Sequence, residues 1–339
     1  PGNRTLNEHL RARRCAGAES GTRAVGPKAA GRSRKHAPEF QFRLICAASR
    51  YLATAMNTVS LPGGERLPAL GLGTWRMGES GRARKREVAA IRTAFELGYR
   101  LVDTAEMYGE GGAEEVIGQA LAEATRAGII ARDQVFIVSK VYPHNASRQG
   151  TFAACERSRK RLGLDKIDLY LLHWPGPHPL HDTVAAFEAL RAQGRIGRWG
   201  VSNFDAADLE ALWRVENGSR CATNQVYYSL TERGAGFDLL PWMGARALPL
   251  MAYSPIDQGK LAADAMLRAL AAGRAVSPAQ LALAWLLAQP GVIAIPKAVR
   301  EAHLRENLAA ADLVLSAAEM AEFDLRFPVP TGKTPLSMR

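Results

Sequence analysis

From about residue 70 to about residue 310, short apolar runs alternate with longer amphipathic stretches. Phe136-Ile137-Val138, Leu169-Tyr170-Leu171-Leu172, Leu250-Met251-Ala252 and Val292-Ile293-Ala294-Ile295 are apolar without alternation. That is the signature of parallel strands covered on both faces. Between such runs apolar residues return at helical intervals: Val88, Ile91 and Phe95; Val116, Ile117, Ala120, Leu121 and Ala124; Val184, Phe187 and Leu190. Gly98 and Gly194 stop the first and third of these helices. Ser277-Pro278-Ala279-Gln280 reads as an N-cap, a proline at the first helical position and a glutamine closing a capping box. Ser316-Ala317-Ala318-Glu319 opens a last helix in the same way. Upstream, Leu61-Pro62-Gly63-Gly64-Glu65-Arg66-Leu67-Pro68 predicts a β-hairpin with its tip at Gly63-Gly64. About eight strand-then-helix units in roughly 240 residues imply an α/β chain. They predict a closed (β/α)8 TIM barrel behind an N-terminal β-hairpin.

Composition changes this picture only at the N-terminus. With 339 residues, 47% of them apolar and 23% charged, the chain has ordinary globular content. The formal net charge of +11 suggests a polyanion binder until it is mapped. Residues 1–55 hold eleven basic and three acidic side chains, whereas the rest holds 33 and 30. The body is therefore nearly neutral, and neither nucleic acid nor a membrane is expected as a partner. Residues 1–55 carry no sustained period and are expected to be a disordered basic extension. Met56 is the expected native start, with a transit peptide or an anion-touching arm as the other readings. The barrel is expected over residues 56–335. The four cysteines are scattered with no Cys-x-x-Cys pair, so no disulfide framework or structural zinc is expected. That usage points to the reducing cytoplasm.

The candidate chemistry lies just past each apolar run, because in such barrels the loops at the C-terminal ends of the strands carry function. Asp103-Thr104-Ala105-Glu106-Met107-Tyr108 succeeds Leu101-Val102, Lys140 succeeds Val138-Ser139, and His173-Trp174 succeeds Leu171-Leu172. Ser202-Asn203 comes after Gly200-Val201, Gln225 after Thr223-Asn224, and Tyr253-Ser254-Pro255 after Met251-Ala252. Ionisable groups at apolar strand ends need partners. Asp103 and Lys140 should pair, and an ammonium beside a tyrosine is expected to pull the phenol pKa down from about 10. Tyr108 then becomes a general acid and His173 a hydrogen-bond donor to a carbonyl oxygen. With no nucleophile and no metal-ligand set, hydride transfer from an external cofactor is the chemistry that fits. Gly71-Leu72-Gly73-Thr74-Trp75-Arg76-Met77-Gly78 lacks the spacing of a dinucleotide fingerprint, so an open doubly wound sheet is not indicated.

These segments, together with Gly71-Leu72-Gly73-Thr74-Trp75, Asp168-Leu169-Tyr170-Leu171-Leu172-His173-Trp174 and Ile295-Pro296-Lys297, resemble the aldo-keto reductases over roughly residues 56–335. Glu106-Met107-Tyr108-Gly109-Glu110-Gly111-Gly112-Ala113-Glu114 with Lys140-Val141-Tyr142-Pro143 is similar to a bacterial subgroup linked to methylglyoxal and other reactive aldehydes. The resemblance implies NADPH-dependent reduction of a small carbonyl substrate; a monomer is expected. It makes Tyr108 the proton donor, Lys140 and Asp103 its tuning pair, and His173 the residue that orients the carbonyl. It assigns Ser202, Asn203 and Gln225 to the nicotinamide carboxamide and Tyr253 to the ring. Ser254, Pro255 and Ile256 fall along the pyrophosphate. Lys297 and Arg300 fall at the 2′-phosphate, and Glu306 and Asn307 at the adenine. His303 departs from the arginine many members place over the adenine. Trp75, Tyr142 and Trp174 are expected around the substrate, with the segment after Phe327 folding over it. A non-catalytic relative that binds NADP as an interaction subunit is the alternative. Retention of Asp103, Tyr108, Lys140 and His173 together argues against it.

Overall fold

The computed structural model describes residues 57–338; Met56 and the basic extension lie outside them. Strands β1 (Thr58–Ser60) and β2 (Arg66–Pro68) pair antiparallel, with Gly63 and Gly64 at the tip in the left-handed region. Eight parallel strands come next: β3 (Leu72–Gly73), β4 (Leu101–Asp103), β5 (Phe136–Val141), β6 (Ile167–Leu172), β7 (Ile196–Ser202), β8 (Asn224–Tyr227), β9 (Leu250–Tyr253) and β10 (Val292–Ala294). Each pairs with the next in chain order. The seam between the first and last strands closes through Gly71 N to Ala294 O at 2.8 Å, Ala294 N to Ala69 O at 2.7 Å and Gly73 N to Pro296 O at 3.1 Å. At this seam Gly73 is required: a Cβ there would stand 2.6 Å from Ile295 O.

The helices that wrap the strands are α1 (Gly81–Leu97), α2 (Gly112–Arg126), α3 (Arg148–Leu162), α4 (Leu180–Ala192), α5 (Ala206–Trp213), α6 (Leu239–Gly244), α7 (Ala265–Arg274), α8 (Pro278–Leu287), α9 (Glu301–Ala310) and α10 (Ala317–Arg326). Gly98 closes α1 in the left-handed conformation. The capping boxes at Ser277 and Ser316 form as the sequence predicts. No helix among the described residues is long and apolar enough to cross a membrane.

Side-chain alternation along the strands sorts the core into two layers. Leu101, Val138, Leu169, Leu171, Met251, Ile293 and Ile295 fill the barrel interior together with Leu61 and Leu67 of the hairpin. The hairpin is thus a plug over the N-terminal end of the barrel, and Glu65 at its tip pairs with Arg198 near the start of β7 at 2.9 Å. Val102, Ile137, Val141, Tyr170, Leu172 and Val201 point outward and pack under the helices. Burying each such aliphatic side chain is worth about 1.5–3 kcal/mol.

Candidate active site

The same period of two places the ionisable groups. Leu101 faces inward, so Asp103 does too; Val138 leads to Lys140, and Leu169 and Leu171 lead to His173. All three reach the interior at the C-terminal end of the barrel. Lys140 is fully buried at 0% exposure, which demands partners for each ammonium proton. Nζ donates to Asp103 Oδ2 at 2.7 Å, to Thr104 O at 2.9 Å and to Tyr108 Oη at 3.1 Å. Asp103 Oδ1 accepts from Gln225 Nε2 at 2.8 Å, so both carboxylate oxygens are engaged.

Tyr108 reaches this cluster from a tight turn. Gly109, Glu110 and Gly111 take φ values of 58°, 54° and 92° before α2 begins. Two glycines let the chain reverse there with little strain. The Tyr108 ring meets that of His173 edge to face at 5.7 Å.

Burial governs the protonation states. It holds the Tyr108 phenol well above the ordinary value, and the Asp103 charge adds to this. The expectation of a lowered phenol pKa is therefore corrected: Lys140 is spent on Asp103, and desolvation wins. Burial likewise lowers the Lys140 ammonium and raises the Asp103 carboxyl, while each opposes the shift of the other. Burial, and then the Lys140 charge, holds His173 well below 6.5, so its imidazole is neutral at physiological pH. The site thus offers a protonated phenol and a neutral imidazole side by side, both able to donate.

A match to the family model described as "Aldo/keto reductase family" spans residues 69–325. The chain belongs to the aldo-keto reductase family. Among its relatives, "Methylglyoxal reductase YeaE" of Escherichia coli is 50% identical over 83% of this chain and 98% of that protein. "Glyoxal reductase" of Bacillus subtilis is 36% identical over 79% and 92%. A solved aldo-keto reductase from Klebsiella pneumoniae, in complex with NADPH, superposes with a TM-score of 0.80 at 47% identity. It covers 84% of this chain and 100% of that one.

The other candidate residues of this aldo-keto reductase are placed as follows. Asn203 sits at φ 58°, a conformation asparagine tolerates better than most residues. Its Nδ2 donates to His173 O and to Ser202 Oγ, both at 3.1 Å, and its Oδ1 accepts from Tyr253 Oη at 2.9 Å. Tyr253 is partly exposed, and the loop after it (Ser254, Pro255, Ile256) turns through φ 48° at Ser254. Gln225 is buried against Asp103, so it supports the carboxylate as well as standing near Asn203.

Lys297 and Arg300 are exposed just ahead of α9, whose N-cap is Arg300. Partial desolvation lowers the Lys297 ammonium; nearby Glu87 opposes this, and Arg86 and Arg76 add to it. Glu306 and His303 are half-buried on α9, and Asn307 is buried beside the Tyr99 hydroxyl. Trp174 lies edge to face with Tyr142 at 5.6 Å and tilted against His173 at 4.8 Å, while Arg76 covers the Trp75 indole at 4.5 Å. The C-terminal segment crosses the loops after β7 and β8. Arg233 holds Asp324 and the Phe327 carbonyl, and Lys333 bridges Asp205 and Asp238 at 3.0 and 3.7 Å.

Besides Asp103, the buried acids among the described residues are Glu87, Glu106, Glu114 and Asp257, and two of these lie close to the site. Glu106 Oε1 accepts from Tyr142 N at 2.8 Å and Asn145 Nδ2 at 3.0 Å, and its Oε2 accepts from Arg157 at 3.1 Å. It therefore ties the Tyr108 turn to the Tyr142 loop beside a cavity of about 350 Å³. Asp257, after β9, accepts from Tyr227 at 2.6 Å. Glu106 has a visible signal, as a second acid in the run from Asp103 to Tyr108; Asp257 has none comparable.

Proposed function

We propose that the chain reduces a small aldehyde, of the methylglyoxal-like 2-oxoaldehyde kind, to its alcohol with NADPH. The observation that carries this reading is the buried contact of Lys140 Nζ with both Asp103 and Tyr108, beside a neutral His173. The residues present fit the cofactor. A phosphate dianion suits the two cations, Lys297 and Arg300, at the N-terminus of the ten-residue helix α9. A flat ring suits the partly exposed Tyr253, and a carboxamide suits the amide and hydroxyl of Asn203 and Ser202. The loop of Ser254, Pro255 and Ile256 would run along the pyrophosphate, with Glu306 and Asn307 toward the adenine.

NADPH held by these residues would supply a hydride for the carbonyl carbon. His173 donates a hydrogen bond to the carbonyl oxygen and fixes its direction. Tyr108 gives its proton to that oxygen as negative charge develops, and the product is the alcohol. A phenol held above its usual pKa stays protonated at neutral pH, which keeps the acid form available for this direction. Lys140 then steadies the transient phenolate through the 3.1 Å contact, and Asp103, held by Gln225, keeps the ammonium in place. Trp75, Tyr142 and Trp174 would form an aromatic mouth that admits small carbonyls.

The test monitors absorbance at 340 nm (the NADPH band, an assay wavelength) with methylglyoxal, glyoxal, aromatic aldehydes, aldoses and ketosteroids. Turnover of the 2-oxoaldehydes with NADPH ahead of NADH is expected. Turnover confined to ketosteroids would refute the substrate class, and no carbonyl turnover at all would refute the reading.

A further inference from the structure

Behind the Tyr253 ring lies a second ring that the reaction does not use. Tyr227 on β8 is the register partner of Tyr253 on β9. The two rings stack at 5.8 Å between centroids and 21° between planes. Tyr227 is buried at 3% exposure, so its hydroxyl needs an internal partner. It finds one in Asp257, buried at 5%, whose Oδ1 accepts from Tyr227 Oη at 2.6 Å. Asp257 belongs to the loop after β9, where Ser254, Asp257 and Gln258 take φ values of 48°, 47° and 54°. On its far side Tyr253 donates to Asn203, which in turn holds the His173 carbonyl. A continuous path therefore runs from the β9 loop through two stacked phenols to the backbone of His173.

We propose that Tyr227 is a positioning residue which, anchored by Asp257, fixes the tilt and depth of the Tyr253 ring and hence the seat of the nicotinamide. This rests on the reading of Tyr253 as the face on which that ring lies. If packing were all that mattered, phenylalanine at 227 would fill the space and no acid would be needed opposite it. The acid present lies on the same loop that would run along the pyrophosphate. One hydrogen bond thus sets both the aromatic seat and the loop over the cofactor.

The experiment uses the full chain and four single variants, Tyr227→Phe, Asp257→Ala, Asp257→Asn and Tyr253→Ala, plus the double variant Tyr227→Phe/Asp257→Ala. NADPH dissociation constants are read from cofactor fluorescence. Single-turnover hydride transfer to methylglyoxal is read with protiated and 4-deuterated NADPH, and far-UV circular dichroism checks folding. Tyr227→Phe and Asp257→Ala should each weaken NADPH binding by about tenfold, the size of one charge-assisted hydrogen bond. Both should also slow the isotope-sensitive step. The double variant should be no worse than either single one, because both remove the same contact. Asp257→Asn keeps an accepting oxygen but loses the charge, so its loss should be clearly smaller than that of Asp257→Ala. Unchanged binding and hydride transfer in Tyr227→Phe would overturn the proposal, as would multiplicative losses in the double variant. If Tyr253→Ala weakens NADPH binding while Tyr227→Phe does not, only the positioning role falls. If Tyr253→Ala leaves binding intact, the reading of Tyr253 falls and takes the proposal with it. If Tyr227→Phe fails to fold, the contrast between Asp257→Ala and Asp257→Asn decides, and equal losses in those two would overturn it.

Discussion

Replacing Lys140 by methionine removes one ion of a buried pair and leaves the other. Nζ and Asp103 Oδ2 stand 2.7 Å apart, with side-chain exposures of 0% and 2%. At an effective dielectric of about 20, the attraction at this distance is about 6 kcal/mol. Desolvation of the two ions consumes much of that gain, so the pair adds little net stability. Deleting one partner is different, because the other keeps its desolvation cost; about 3–5 kcal/mol is expected.

The variant also acquires a distinctive pH dependence. Burial already pushes the Asp103 carboxyl up, and Lys140 is the main force against that. Without the ammonium the folded-state pKa rises further above the unfolded value of about 3.9. A carboxyl with a raised folded pKa favours the native state at low pH and loses that contribution as pH rises through its folded pKa. At about 1.36 kcal/mol per pH unit, the deficit of Lys140→Met relative to the parent should shrink by up to about 3 kcal/mol between pH 8 and pH 5.5. Urea unfolding monitored by circular dichroism, with parent and variant at both pH values, measures this directly. Adding Asp103→Asn to Lys140→Met should restore much of the stability at pH 8. A deficit that is the same at both pH values, with no recovery in the double variant, would show that the two residues are not a desolvated ion pair.

Three further outcomes are expected. Because reduction consumes the acid form of Tyr108 and burial raises its pKa, single-turnover rates should not fall with a tyrosine-like ionisation until pH exceeds about 10; a midpoint near 8 would contradict the burial argument. His173, with its folded pKa depressed, contributes stability that is complete above about pH 6.5 and lost as pH falls through the folded value. Proton–nitrogen NMR should find its ring neutral at pH 6, and an imidazolium there would remove its assignment as a neutral donor. Lys297→Ala should raise KM for NADPH at least tenfold with little change for NADH, since a charge-assisted contact to a phosphate is worth about 1.5–3 kcal/mol; equal effects on both would place the 2′-phosphate elsewhere.

Local rules made much of this molecule legible. Gly98 is a helix stop because only a residue free to turn left-handed fits there, and the Ser277 and Ser316 boxes form because side chain and backbone lie three residues apart. Polar residues after apolar runs located Asp103, Lys140 and His173, since in a closed barrel every strand delivers its end to one rim. What escaped the sequence depends on depth and on contacts across the fold. The proximity of Lys140 to Tyr108 was foreseeable, but the phenol pKa is set by burial, which the sequence does not display. The hairpin was readable as a hairpin, while its role as a plug required Leu61 and Leu67 to meet Leu101 and Leu169 inside the barrel. Glu106 finds Arg157 across 51 positions, and Asp257 finds Tyr227 across 30. No periodicity encodes such pairs.

The most direct test of the proposed chemistry is a single-turnover comparison of the parent with Tyr108→Phe, mixing the NADPH complex of each with methylglyoxal. Proton donation by a positioned side chain contributes roughly 10²–10⁴-fold. The variant should therefore bind NADPH as the parent does and transfer hydride at least a hundredfold more slowly; transfer at the parental rate would contradict the assignment of the phenol as the proton donor.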